Sequence, residues 1–315
     1  MTQPTPSLSL AVDVRNPGQF FACCGLLELA HRRWPGAEGW FTSDDSVFNI
    51  HCPEVEACSL SRIVKDLEAA GVQGDLSQEE RRELDGLERR KRQLGGEGKA
   101  LSDEEEARRV ELGKRVREGA VIIGSPFELR LAWWQEESDD IPKTFAGRQE
   151  VLRMARAMLA KAPEAARAEA PLEYRCLLRA GGENGEERSG GGQQSGGSKV
   201  EPFYFDARRF SAALDAGFSL DLQEKNIRAA AAPLTELLAL IGLQRFRPGS
   251  DGRDKGMFTY STWSEPLGVI TGAAVACGAA LVGARQGYRF RLQSRDGQNR
   301  YKAFGFAIPV EEIND

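Results

Sequence analysis

The run from Tyr288 to Ala307, YRFRLQSRDGQNRYKAFGFA, constrains this chain more than any other stretch. Tyr288, Phe290 and Leu292 alternate with Arg289, Arg291 and Gln293, the period of a strand with one apolar and one polar face. Asp296-Gly297 supplies residues that tolerate positive φ in a tight turn, and alternation resumes from Arg300 to Phe306. The spacing predicts a β-hairpin with a basic polar side: Arg285, Arg289, Arg291, Arg295, Arg300 and Lys302 are opposed only by Asp296. Cations on a rigid ribbon neutralise phosphates, and the interleaved Tyr288, Tyr301, Phe304 and Phe306 can stack on bases. The competing reading makes the aromatics core and the arginines a solvated face.

The rest of the chain divides by pattern. Leu8 to Val14 reads as a strand, and Asn16-Pro17-Gly18-Gln19 reads as a capping box that opens a helix closed by Trp34-Pro35-Gly36. Trp40 to His51 predicts a strand hairpin broken at Asp44-Asp45, and Ser59 to Ala70 a short helix. From Leu76 to Glu118 the chain turns highly charged. Ser77 with Glu80 and Ser102 with Glu105 are two further capping boxes separated by Gly95-Gly96-Glu97-Gly98, which predicts antiparallel helices projecting roughly 25 Å with only a thin apolar seam. Such an arm is a partner contact or a solvated insertion.

Ala120 to Trp134 returns to strand chemistry. A basic segment, Lys143 to Arg156, then leads into a helix from about Glu150 to Ala160, whose N-terminus would attract phosphate. Gly181 to Ser198 is too polar to order itself and reads as a flexible linker or disordered loop between two strand patterns, Leu172–Leu178 and Phe203–Phe205, either a long loop within one sheet or a domain boundary. Pro233 marks the start of a regular helix within Asn226–Phe246, Met257–Trp263 is a strand, and Val269–Val282 is a helix or paired strands. The expected fold class is α+β: a mixed sheet with packed helices, a projecting charged helical hairpin and a C-terminal β-hairpin. Its regions are 1–180 with the arm inserted at 75–118, the linker 181–198, and 199–315.

Composition narrows the chemistry. The net charge is −5 over 315 residues, so contact with a polyanion must use local patches. The six cysteines form no CxxC pair, and neither His31 nor His51 completes a zinc site, so reduced thiols and a cytoplasmic location are expected, with no metal and no cofactor. No leader pattern or membrane span is read. Phosphate loops, dinucleotide fingerprints and a nucleophile elbow are missing. Cys23 or Cys24 with His31 is the one drawable nucleophilic pair, and it lacks an orienting acid.

Five blocks carry a resemblance: AVDVRNPGQFFACCGLLELAHRRWPGAEGWF, KTFAGRQEVLRMARAM, PFYFDARR with DAGFSLD, LTELLALIGLQRFRP and YRFRLQSRDGQNRYKAFGFA. Together they resemble the large subunit of type I-G (formerly I-U) CRISPR effector complexes. The resemblance implies a non-enzymatic subunit that works with backbone subunits, a crRNA-processing subunit and crRNA. It implies recognition of a short motif in target double-stranded DNA, support of the R-loop and engagement of a helicase-nuclease, while base pairing reads the target. On this basis Lys143, Arg148, Arg153 and Arg156, with Arg291, Arg295, Arg300 and Lys302, are expected to line a DNA path. Gln149, Gln298 and Asn299 are the expected base-edge readers. A protein-only scaffold and a Cys/His hydrolase are the alternatives.

Overall fold

Local signals and packing meet in the first helix, which begins where the sequence predicts. The computed structural model describes residues 3–53, 58–136, 140–145, 149–178, 200–208, 230–250, 254–295 and 301–310. Its helices are α1 (Pro17–Arg33), α2 (Leu60–Ala70), α3 (Gln78–Gly96), α4 (Asp103–Glu118), α5 (Val151–Leu159), α6 (Ala162–Ala165), α7 (Pro233–Gly242) and α8 (Val269–Ala276). Asn16 caps α1 by accepting the Gly18 N–H at 3.2 Å. Gln19 does not close the box onto Asn16. Its Oε1 accepts the Asp13 N–H at 2.7 Å instead, tying the helix to the chain that enters it.

α1 is buried from Pro17 to Ala30, and α7 is buried along its whole length. Their backbones touch where two glycines face each other. A Cβ on Gly25 would lie 2.0 Å from the Leu238 carbonyl oxygen, and one on Gly242 would lie 2.1 Å from that of Phe21. A mid-helix glycine costs about 1 kcal/mol relative to alanine; here it permits the closest helix contact in the core.

Antiparallel sheets surround this pair. β1 (Leu8–Ala11), β2 (Glu38–Phe41), β3 (Val47–His51) and β11 (Leu267–Gly268) form one in the order β1-β3-β2-β11. β9 (Gly249–Ser250), β10 (Met257–Trp263), β12 (Ala284–Ser294) and β13 (Lys302–Phe304) form another, ordered β13-β12-β10-β9, with β14 (Ile308–Pro309) also on β12. β4 (Val72–Gly74), β5 (Val121–Ile123) and β6 (Leu129–Leu131) make a small sheet with β4 at its edge, and β7 (Cys176–Leu177) pairs with β8 (Ala230–Ala231). The architecture is α+β, as the patterning predicts.

Aromatic rings join the layers: Phe20 stacks on Tyr260 at 4.2 Å, and Phe41 meets Trp263 edge-on at 5.1 Å. Leu267 pairs with Gly39, and the Trp263 indole donates to the Gly39 carbonyl at 2.7 Å. The regions on either side of residues 181–198 therefore share one sheet and one core. Those residues themselves lie outside the described part of the chain.

Three sequence expectations need correction. Phe203–Phe205 is not a strand: its backbone is taken by the Thr144 and Glu236 side chains and by a single N–H of β13, that of Phe304, rather than by a strand ladder. Of Leu172–Leu178, only Cys176–Leu177 is strand. Gln19 caps from a different position, as above. The choice left open for Val269–Val282 falls to a helix, α8, followed by a turn.

Both arm capping boxes are present, with Ser77 on Glu80 N–H and Ser102 on Glu105 N–H. α3 buries none of its residues and α4 only Leu112. Ion pairs join the two helices instead: Arg108 to Glu83 at 2.9 Å, Arg109 to Glu88 at 2.7 Å, Lys91 to Glu106 at 2.8 Å and Arg115 to Glu80 at 2.5 Å.

Candidate nucleic-acid interface

Strand alternation decides which cations of the C-terminal segment can reach a ligand. Tyr288 and Phe290 face inward and are buried, as is Phe304, so these rings pack the core and cannot stack on bases. Phe290 lies 4.9 Å from Phe304 and Tyr288 lies 5.6 Å from Tyr260. For Tyr288 and Phe304 the competing reading as core holds. Phe306 is exposed and Tyr301 is half-buried.

Arg289 and Arg291 take the opposite parity and stand exposed on the outer face. Their cross-strand partners there are Thr259 and Met257 on β10. Arg291 pairs with Asp254, while the Arg289 guanidinium makes no hydrogen bond or ion pair among the described residues. Arg285 is drawn away to the Ser43 carbonyl. Lys302 pairs with Ser294 and so belongs to the inward register, emerging at the end of the sheet rather than beside Arg289.

The basic segment around residue 143 reaches the same end of this sheet. The Lys302 N–H donates to the Thr144 carbonyl at 2.9 Å, and the Phe304 N–H to the Tyr204 carbonyl at 3.0 Å. Glu201 gathers the rest: its Oε2 accepts from the Gln149 amide at 3.1 Å, the Tyr204 hydroxyl at 3.2 Å and Arg295 at 3.0 Å. The Arg295 guanidinium also lies over the Tyr204 ring, 3.1 Å from its centroid, and the side chain is only 15% exposed. Tyr204 has φ of 67°, a left-handed conformation uncommon for an aromatic residue and held here by bonds from both sides.

Several predicted ligand contacts thus have structural work. Arg295 and Gln149 hold Glu201, Lys143 pairs with Glu118 at 3.5 Å, and the Arg156 Nε–H donates to the Val72 carbonyl at 3.2 Å. Arg153 sits half-buried on α5 and engages neighbouring groups. The N-terminus of α5 is flanked by Glu150, a poor greeting for phosphate. Arg148, Gln298, Asn299 and Arg300, with the Asp296-Gly297 turn, lie outside the described residues. Glu201 is the residue that sequence reading missed, because an acid beside a glycine-rich stretch carries no local signal of a partner 94 residues away.

The alternative chemistry finds little support. Cys23 and Cys24 are fully buried, and burial pushes both thiols well above their ordinary range, away from the nucleophilic thiolate. Among the described residues no cluster of His, Cys, Asp and Glu could hold a metal ion, and no helix is long and apolar enough to cross a membrane. No protein-family model, curated protein or solved structure matches this chain.

Proposed function

We propose that this chain is the non-catalytic large subunit of a crRNA-guided type I CRISPR effector complex, contacting target duplex DNA through the outer face of its C-terminal sheet. The family part of this reading follows the resemblance of the five sequence blocks. The DNA part rests on one observation: two basic segments some 150 residues apart converge on Thr144 and Glu201, next to the open face that carries Arg289 and Arg291. A net charge of −5 suits a subunit whose hold on DNA comes from local patches and from its neighbours.

Within that reading the roles divide. Arg289 and Arg291 neutralise phosphates, while Arg295, Lys143 and Gln149 keep the two segments in register. Motif reading falls to groups near the hairpin tip, and the helicase-nuclease engages the assembled complex.

The test uses the complex reconstituted with crRNA. Arg289→Glu with Arg291→Glu is expected to weaken target-duplex binding roughly tenfold and to flatten the salt dependence by about two counterions. Unchanged affinity and salt slope would leave a protein-only scaffold as the better account. If the doubly substituted chain no longer co-purifies with its sister subunits, Arg289→Gln with Arg291→Gln gives the same readout with less disturbance.

A further inference from the structure

Where the arm meets the body, a cavity of about 700 Å³ opens beside β4, lined among others by Gln73, Gln78, Arg81, Asp85, Val116 and Arg156. Two arginines from separate elements converge on this edge strand. Arg156 arrives from α5 and is fixed by its Nε–H on the Val72 carbonyl at 3.2 Å. Arg81 arrives from α3, and its Nη2 lies so close to Gly74 that a Cβ there would stand 3.1 Å away. The missing side chain at Gly74 leaves room for the guanidinium to lie close against the strand.

Like Arg82 and Arg117, and unlike the paired arginines of the arm, Arg81 has no acid partner among the described residues. Arg90, Arg108, Arg109 and Arg115 on the arm are all ion-paired to acids. Arg81 is half-buried, yet its guanidinium makes no hydrogen bond or ion pair among the described residues. Asp85, one turn along the same helix and lining the same cavity, does not pair with it. A half-buried guanidinium with no protein acceptor keeps its donors available to an anion.

The volume lies within the range of small-ligand sites. A guanidinium fork matches the oxygens of phosphate in geometry and charge, and the amides of Gln73 and Gln78 add donors around it. We propose that this cavity binds a phosphate group, presented by a free nucleotide or by a strand of nucleic acid, between Arg81 and Arg156. The proposal stands on these residues and not on membership of a complex, so it survives or fails apart from the function proposed above.

The experiment uses the purified full chain and three probes: inorganic pyrophosphate, a mononucleoside diphosphate, and fluorescein-labelled single strands of about six nucleotides of DNA and of RNA. Calorimetry and fluorescence anisotropy should detect binding of at least one. Arg81→Ala and Arg156→Ala should each weaken it roughly five- to tenfold, and Asp85→Asn should tighten it by removing an opposing charge. Arg81 packs against Gly74 but makes no side-chain hydrogen bond or ion pair among the described residues, so Arg81→Ala keeps the test valid if Arg156→Ala misfolds. Binding of the nucleoside diphosphate and pyrophosphate assigns the site to a free nucleotide, and binding of the labelled strands alone assigns it to nucleic acid. No binding of any probe, or binding that Arg81→Ala and Asp85→Asn leave within twofold, overturns the proposal.

Discussion

α1 and the arm helices α3 and α4 are of similar length, 17, 19 and 16 residues, and are stabilised in opposite ways. α1 has no acid in its first turn, contains Gly18 and Gly25, and would be a poor helix by itself. It is held by burial on every side and by contact with α7. The arm helices are rich in strong helix formers, carry complete capping boxes and bury almost nothing. One helix is thus made by the fold, and the other two are made by their own sequence. The consequence is that damage to α1 should spread through the molecule, whereas damage to the arm should stay local.

Gly25→Val tests the first half of that contrast and has the largest expected effect. The added carbons would meet the Leu238 carbonyl at a distance no real side chain tolerates, so urea unfolding should show a loss of about 4 kcal/mol or more. A loss below about 1 kcal/mol would mean that α1 and α7 can separate cheaply, and the contrast would fail.

The ionic part of the same crossing comes next. Glu28 is 2% exposed and receives Arg245 at 2.5 Å and Arg32 at 2.7 Å. Burial opposes its ionisation, but the two arginine hydrogen bonds outweigh this and hold the carboxyl below its usual range. Replacing both arginines by methionine leaves a buried charge and should cost about 3 kcal/mol, and adding Glu28→Met should recover much of it. With the folded value depressed, the contribution of this cluster is complete above the ordinary carboxylate range and is lost as pH falls through the folded value. Thermal melts across that window measure it.

On the arm, Ser102→Ala should cost about 1 kcal/mol of local helix stability. The loss should appear in hydrogen exchange of α4 amides while those of α1 and α7 are unchanged. If the core slows or speeds with it, the arm is not an independent unit.

The exposed ion pairs of the arm should respond to acid and salt with the smallest effects. Hydrogen bonds from Arg115 hold the Glu80 carboxyl at about 2, and those from Arg109 and Lys91 do the same for Glu106. Because both folded values lie below the unfolded ones, the ladder contributes fully above the ordinary carboxylate range and fades as pH falls through about 2. These groups are solvent-exposed, so 1 M salt should also loosen α3 and α4 in hydrogen exchange without moving the global melt.

How much was legible in advance follows the same division. Wherever the information lies within one turn or one strand pair, the reading was good: the three helix starts at Asn16, Ser77 and Ser102, the break at Asp44-Asp45 and the alternation of Tyr288–Leu292 are all in place. Phe203–Phe205 misled because three consecutive aromatic residues look like a strand whether a strand ladder or scattered partners satisfy the backbone. The site was legible only in part. The basic segments do come together, but charge patterning could not tell Arg289, which stands open, from Arg295, which lies over Tyr204 and holds Glu201.

By itself the amino-acid sequence determined the secondary elements whose causes are local: caps, turn residues and hydrophobic period act over a few residues and need no partner. Only the tertiary structure decided which cations are structural and which are available, where Gly25 meets Gly242, and that Glu201 ties two distant segments together. The physical reason is that burial and ion pairing depend on neighbours brought from far along the chain. No single stretch of residues encodes the identity of those neighbours.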